Sequence, residues 1–144
     1  MRKYAAALAL LLVVSGCSLK GNVFSLSVGD CFNASDSLAN LNNSDVDNVD
    51  RVSCSELHEY EVYGTFDLTG SSWPGESTVI RRTEEGCKAR FASFVGTGYE
   101  YSEWYVWYLH PTQDSWNRGD DREVTCSVTQ EYGMTTGSAR GTKR

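Results

Sequence analysis

The sequence predicts one small α+β domain, in which one main helix packs on a small antiparallel sheet and two disulfides staple the fold. Segments that alternate apolar and polar residues indicate strands near 24–28, 60–68 and 122–129, and a continuous apolar and aromatic run indicates another strand near 103–109. One apolar stripe with helical spacing runs through residues 75–95. Five cysteines are present, and the four that follow an N-terminal leader indicate two disulfides in an exported domain.

The leader has the features of a bacterial lipoprotein signal peptide. Arg2 and Lys3 precede the apolar run 5–14, which is too short to span a bilayer, and small residues then lead to Cys17. We therefore expect residues 1–16 to be removed and the Cys17 thiol to receive a diacylglyceryl group, with palmitate among its acyl chains. Two acyl chains anchor a protein stably, which predicts a lipid-anchored protein on the extracytoplasmic face of the cell membrane.

The net charge of the mature chain excludes some classes of binding partner. Residues 1–16 hold two of the 13 basic residues and none of the 19 acidic ones, so the mature chain carries a net charge of −8. This acidity argues against nucleic-acid binding and against adhesion to anionic lipid, so attachment to the membrane depends on the acyl chains. Two histidines offer little material for metal chemistry, and we expect no metal and no cofactor.

A lipidated tether is predicted at residues 17–23, followed by the main domain at 24–132. The first strand is predicted where Phe24, Leu26 and Val28 alternate with serines. Residues 33–50 are rich in Asn, Ser and Asp, which indicates a long polar loop.

The next strand is predicted to be half buried. Tyr60, Val62, Phe66 and Leu68 share one parity, and Gly64 between them indicates a bulge.

The main helix is predicted from about Gly75 to Val95. Its apolar positions recur every three or four residues: Val79 or Ile80, Thr83, Cys87, Phe91 and Phe94. Gly86 inside a helix costs about 1 kcal/mol relative to alanine, which predicts a close packing contact at this position. Gly96 is expected to end the helix.

The last two strands are expected to form a hairpin across the connection 110–121. Residues 103–109 are apolar on both parities, which indicates a strand covered on both faces. In the strand 122–129 the inward residues are Val124, Cys126 and Val128. Residues 133–144 form a Gly/Ser/Thr-rich tail, either mobile or docked on the surface.

The disulfide pairing follows from which faces the cysteines share. Cys87 lies on the apolar stripe of the helix and Cys126 on the inward face of the last strand, so we predict a Cys87–Cys126 bond. Cys31 and Cys54 then remain as the second pair, although the sequence leaves the other pairings open. The cysteines form no CxxC motif, so neither a zinc ribbon nor thioredoxin-type chemistry is indicated.

The segment 54–59 is the first place to search for chemistry. Glu56, His58 and Glu59 are possible metal ligands, and Cys54 with His58 resembles a nucleophile pair. An exported cysteine with available partners is expected to be oxidised, and one imidazole with two carboxylates is a weak zinc set. We therefore favour a structural His58 that donates to the backbone or pairs with a carboxylate.

A second acidic segment resembles a calcium loop only in part. Asn43, Asp45 and Asp47 have the right spacing, but Asn48 replaces the turn glycine and Cys54 replaces the bidentate glutamate. A solvated polar loop is the favoured interpretation.

The connection 110–121 carries Trp116 among polar residues. This indole is a candidate anchor for a partner or a glycan, oriented by neighbouring charges such as Asp120. The favoured alternative is that Trp116 covers the core while Asp120 and Arg122 make local turn contacts. Ser115 has no GxSxG context, so serine hydrolase chemistry is not indicated.

Several ordered motifs resemble the septum-formation family, a group of actinobacterial cell-envelope domains found in lipoproteins and membrane proteins. The motifs are Gly29-Asp30-Cys31-Phe32, Val52-Ser53-Cys54-Ser55-Glu56-Leu57-His58-Glu59-Tyr60-Glu61-Val62, Gly86-Cys87, Tyr108-Leu109-His110-Pro111-Thr112 with Ser115-Trp116, Gly119-Asp120, Cys126, and Thr136-Gly137-Ser138-Ala139-Arg140-Gly141. The resemblance covers about residues 26–141 and implies an envelope domain linked to division.

These observations predict a non-catalytic envelope lipoprotein whose domain binds an envelope or divisome protein or a wall component. The candidate binding residues are His58, Glu56, Trp116, Asp120 and Arg122. The alternatives are an envelope enzyme that acts on the wall through a metal-assisted site around His58, and a purely structural spacer domain.

Overall fold

The structure is a computed structural model that describes residues 19–34, 48–131 and 133–144. Within these residues the strands of one antiparallel sheet are β1 (Leu19–Asn22), β2 (Cys31–Ala34), β3 (Asn48–Val52), β4 (Tyr60–Asp67), β5 (Tyr105–Leu109) and β6 (Glu123–Thr129). Their order in the sheet is β1-β3-β2-β4-β6-β5. The helices are α1 (Glu76–Val95) and the short α2 (Gln113–Arg118). The predicted α+β class is confirmed.

Helix α1 follows the predicted stripe. Its buried residues are Val79, Thr83, Cys87, Phe91, Phe94 and Val95. The helix ends where Gly96 adopts the left-handed conformation with φ of 90°. A Cβ atom on Gly86 would lie 2.2 Å from Cζ of Phe66, so the predicted close contact at this glycine is confirmed.

The predicted bulge in β4 is present. Because of it, the prediction that the apolar residues of this strand all share one face is wrong. The register with β6 shifts between Val62 and Gly64. Before the shift, Tyr60 and Val62 pack on the face of the sheet away from α1, whereas Phe66 after it packs on the α1 side. The extra residue of a bulge exchanges the two faces, so one parity cannot describe the whole strand.

The predicted strand at 24–28 is wrong. Residues 23–25 form a 3₁₀ turn, and the N–H of Leu26 after it donates to the Val23 carbonyl at 3.3 Å. Val23 and Leu26 are buried, while Phe24 and Val28 are 61% and 47% exposed. Burial therefore follows a spacing of three instead of two, as a 3₁₀ turn requires. The strand β1 lies inside the stretch assigned to the tether.

The predicted polar loop at 33–50 is shorter than expected at both ends. Asn33 and Ala34 belong to β2, and residues 48–50 belong to β3, where Val49 is fully buried. The remainder of this segment, residues 35–47, lies outside the described part of the chain, and so does the calcium-like sequence formed by Asn43, Asp45 and Asp47.

The hairpin of β5 and β6 is confirmed, and β5 packs on both faces although it forms an edge of the sheet. Val106 and Tyr108 contact the core under α1, whereas Trp107 and Leu109 contact the core on the opposite face. The connection between the strands contains α2, which the sequence analysis missed. Its signal is the capping box between Thr112 and Ser115.

Both predicted disulfides are confirmed. Cys87–Cys126 joins α1 to β6 at a Cα separation of 5.5 Å, and Cys31–Cys54 joins β2 to the segment that follows β3. Both sulfurs of the first bond are fully buried in the core beneath α1. The geometry therefore selects among the three pairings that the sequence allowed.

The C-terminal segment is docked onto the domain. The buried carboxylate of Glu61 accepts hydrogen bonds from Ser138 Oγ at 2.5 Å and from the Ala139 N–H at 2.7 Å. The backbone N–H groups of Gly141 and Lys143 donate to carbonyls at the end of α1, at 2.8 and 2.9 Å. Residues 138–143 thus satisfy helix-end acceptors that would otherwise need water.

Candidate functional site

A cleft of about 190 Å³ lies between the N-terminal end of α1 and the connection that joins β5 to α2. Its lining residues are Trp73, Glu76, His110, Pro111, Thr112 and Gln113. Trp73 is half buried, Pro111 is buried, and the Glu76 carboxylate and the Gln113 amide are exposed. The cleft therefore combines an aromatic wall with a carboxylate, an imidazole, a hydroxyl and an amide.

The aromatic wall is held from behind. The Trp73 ring meets the Trp116 ring edge to face, with centroids 5.6 Å apart. The guanidinium of Arg122 lies 3.8 Å from the Trp116 ring and donates to the carbonyls of Trp116 and Gly70, both at 3.0 Å. Because Arg122 and Trp116 are fixed by these contacts, Trp73 has a rigid support.

The opposite wall is fixed by the capping box of α2. Ser115 N–H donates to Thr112 Oγ1 at 3.1 Å, and Thr112 N–H donates back to Ser115 Oγ at 3.0 Å. Ser115 Oγ also donates to Asp121 Oδ2 at 2.9 Å. This network sets the position of Thr112 and of Gln113, which begins the helix.

His110 has a defined orientation at this wall. Its Nδ1 lies 3.0 Å from the Pro111 carbonyl oxygen, and its ring lies 5.9 Å from the ring of Tyr108. A carbonyl oxygen only accepts, so Nδ1 carries the proton in the neutral ring and Nε2 is left as an acceptor.

Trp116 is not the surface anchor that its sequence context allowed. The residue is 1% exposed and belongs to the core under α1, so the favoured alternative of a cover on the core is the correct one. Of these two neighbouring indoles, Trp73 is the one that is partly exposed, and the sequence analysis missed it. Its signal is a tryptophan among small and turn-forming residues in the segment 70–75, directly before a helix.

Asp120 and Arg122 make the expected local contacts. Asp120 has a side chain that is 94% exposed and forms an ion pair of 3.0 Å with Arg122. Arg122 in turn is 16% exposed and carries the aromatic stack behind the cleft. Of this pair, Arg122 supports the cleft and neither residue lines it.

His58 and Glu56 lie in a different part of the fold, and their side chains do not meet. His58 is 1% exposed, its Nδ1 lies 2.9 Å from the Glu56 carbonyl oxygen, and its backbone pairs with Thr135. The Glu56 carboxylate instead accepts from the Ser53 N–H at 3.2 Å. This environment supports the structural interpretation of His58. Its Nε2 is buried without a hydrogen-bond partner among the described residues.

Within the described part of the chain, one group of side chains is close enough to share a metal ion, formed by Cys31, Cys54 and Glu61. Both sulfurs are in a disulfide and cannot act as thiolate ligands. The same bond removes the free thiol that a Cys54–His58 nucleophile pair would require. Glu61 already binds the C-terminal segment, so this cluster is a structural element.

The predicted lipidation site Cys17 and the signal peptide 1–16 lie outside the described residues. None of the helices in residues 19–34, 48–131 and 133–144 has both the length and the apolar character that crossing a bilayer requires.

Comparison with known proteins confirms the resemblance given by the motifs. The sequence model of the septum formation family matches residues 18–139, which is most of the chain. No curated protein and no solved structure matches.

Proposed function

Because the chain belongs to the septum formation family, we propose that it is a non-catalytic, lipid-anchored domain that binds a cell-envelope component during septum formation. The family associates the chain with the envelope or with cell division. Lipid anchoring is supported by the sequence, and binding is supported by the geometry of the cleft.

Support for the lipid anchor comes from Cys17 and from its neighbourhood. Arg2 and Lys3, the apolar run 5–14 and the small residues before Cys17 have the order that lipoprotein processing needs. Strand β1 begins at Leu19 and pairs with β3, so one residue separates Cys17 from the sheet. A domain attached in this way is held close to the membrane. The envelope component that it binds must therefore lie near the membrane surface.

The observation that carries the binding role is the supported cleft at Trp73. A half-buried indole at a concave surface, with polar groups around it, is typical of a ligand or partner site. Its support by Trp116 and Arg122 means that little conformational freedom is lost on binding. The alternative site around His58 is buried and has its imidazole bonded to the backbone, which is suited to stabilising the fold.

Fluorescence microscopy of dividing host cells tests the proposal, with the full-length protein fused to a tag that folds outside the cytoplasm. We expect septal enrichment of the wild-type protein, loss of enrichment for Trp73→Ala, and loss of membrane retention for Cys17→Ala. Tyr101→Ala is the matched control, because Tyr101 is 86% exposed and lies beyond the opposite end of α1. Septal enrichment that survives in Trp73→Ala contradicts the role of the cleft.

A further inference from the structure

We propose that the Trp73 cleft binds a neutral saccharide unit of a glycan, an inference that rests on the binding function proposed for the same cleft. A sugar ring has an apolar C–H face and a rim of hydroxyl groups. The indole of Trp73 matches the face, while Glu76, His110 and Gln113 offer acceptors and donors for the rim.

The size of the cleft fits one ring of an extended chain. Its volume of about 190 Å³ lies below the roughly 300–1,000 Å³ that encloses a drug-sized ligand. The cleft is open at the surface, where Glu76 and Gln113 are exposed, so a polymer can cross it while one unit stacks on Trp73.

Charge decides between neutral and anionic glycans. The N-terminal end of a long helix attracts anions, but α1 carries Glu76 in its first turn, and this carboxylate is in the cleft. Within the part of the chain that the structure describes, the residues that line the cleft include neither lysine nor arginine. An anionic polymer would be repelled by the Glu76 carboxylate, which forms no ion pair among residues 19–34, 48–131 and 133–144, so a neutral saccharide is the better match.

Histidine and tryptophan are both held in place before any ligand arrives. His110 Nδ1 is bonded to the Pro111 carbonyl, which leaves Nε2 to accept a hydrogen bond from a hydroxyl group. Trp73 is supported by Trp116, and Trp116 by Arg122. A preorganised wall is what allows a shallow site to bind with useful affinity.

The test is an NMR titration of the full-length protein in micelles of a detergent without a sugar headgroup. The neutral probe is the β-1,4-linked trimer of N-acetylglucosamine, and the anionic probe is an oligogalacturonate of similar length. The four tryptophan indole N–H signals are assigned by substitution. We expect a saturable shift of the Trp73 signal by the neutral trimer with a Kd on the order of 1 mM. Trp73→Ala should weaken binding at least about tenfold.

Tyr101→Ala should bind the trimer as the wild-type protein does. An unsaturable response, binding that Trp73→Ala leaves intact, or tighter binding of the anionic probe would each overturn the saccharide proposal. If septal enrichment still depends on Trp73 in cells, the binding function stands and its ligand is of another class. If the trimer binds at Trp73 but enrichment does not depend on this residue, the septal role of the cleft is wrong while the ligand class stands.

Discussion

Replacing glycine by alanine inside a helix usually stabilises a protein, but we expect Gly86→Ala to destabilise this one. Gly86 lies in the middle of α1, and the added Cβ would lie 2.2 Å from Phe66 Cζ and 2.7 Å from Phe66 Cε2. The Arg90 guanidinium lies 4.1 Å from the centroid of this ring, so moving the ring away would break that contact. Arg90 is itself bonded to the Gly86 carbonyl at 2.9 Å.

Two opposing contributions set the magnitude. Replacing glycine by alanine in a helix interior stabilises it by about 1 kcal/mol. Forcing an atom into an occupied space costs about 1–3 kcal/mol. We therefore expect Gly86→Ala to lower the free energy of unfolding by up to about 2 kcal/mol. In a Phe66→Ala background the clash is gone, so the same substitution should raise it by about 1 kcal/mol.

Urea unfolding of the four variants of this cycle measures the change of sign. Ala89→Gly on the exposed side of α1 is the control, and it should lose about 1 kcal/mol in both backgrounds. An increase in stability for Gly86→Ala in the wild-type background would refute the reasoning, since it would mean that Phe66 relocates without cost.

The remaining predictions concern a strand carboxylate and the disulfides. Burial, with further contributions from Asp67 and Asp121, raises the pKa of Glu123 above its usual 4.5. Folding therefore favours the protonated form of Glu123. The contribution of this form to the stability of the protein is fully present below the usual pKa, and it is lost as the pH rises through the raised pKa of the folded state. Glu123→Gln should therefore raise the Tm at about pH 7 and add little at about pH 4, with the exposed Glu100→Gln as control; an equal gain at both values would contradict this. Removal of Cys87–Cys126, which spans 39 residues, should lower the free energy of unfolding by about 4 kcal/mol. Removal of Cys31–Cys54, which spans 23 residues, should lower it by about 3 kcal/mol, and urea unfolding measures both changes. The opposite order would show that strain or structure in the unfolded chain outweighs loop length.

The periodicity of the sequence determined α1 and its relation to the sheet. Residues three and four apart share one face of a helix whatever surrounds it, so the stripe through Thr83, Cys87 and Phe91 could be recognised locally. Cys87 on this stripe and Cys126 on the inward face of β6 lie on facing surfaces of helix and sheet, which is why their pairing could be predicted. A close contact at Gly86 could be predicted because glycine inside a helix lowers its stability and a packing contact explains its presence. The sequence did not identify the ring of Phe66 as the partner.

Tertiary packing alone decided which face of the sheet each strand residue took, and which of Trp73 and Trp116 reached the surface. Alternation in the sequence shows which side chains of a strand share a face. This sheet has apolar cores on both faces, so the sequence does not show that the bulge at Val62–Gly64 exchanges the two faces. Trp116 and Trp73 are both tryptophans among polar and turn residues. The burial of Trp116 beneath Arg122 and the partial exposure of Trp73 in the cleft depend on contacts between segments that are distant in the chain. Local pattern carries no information on such contacts, because the area that a side chain loses to solvent is set by whatever the fold places against it.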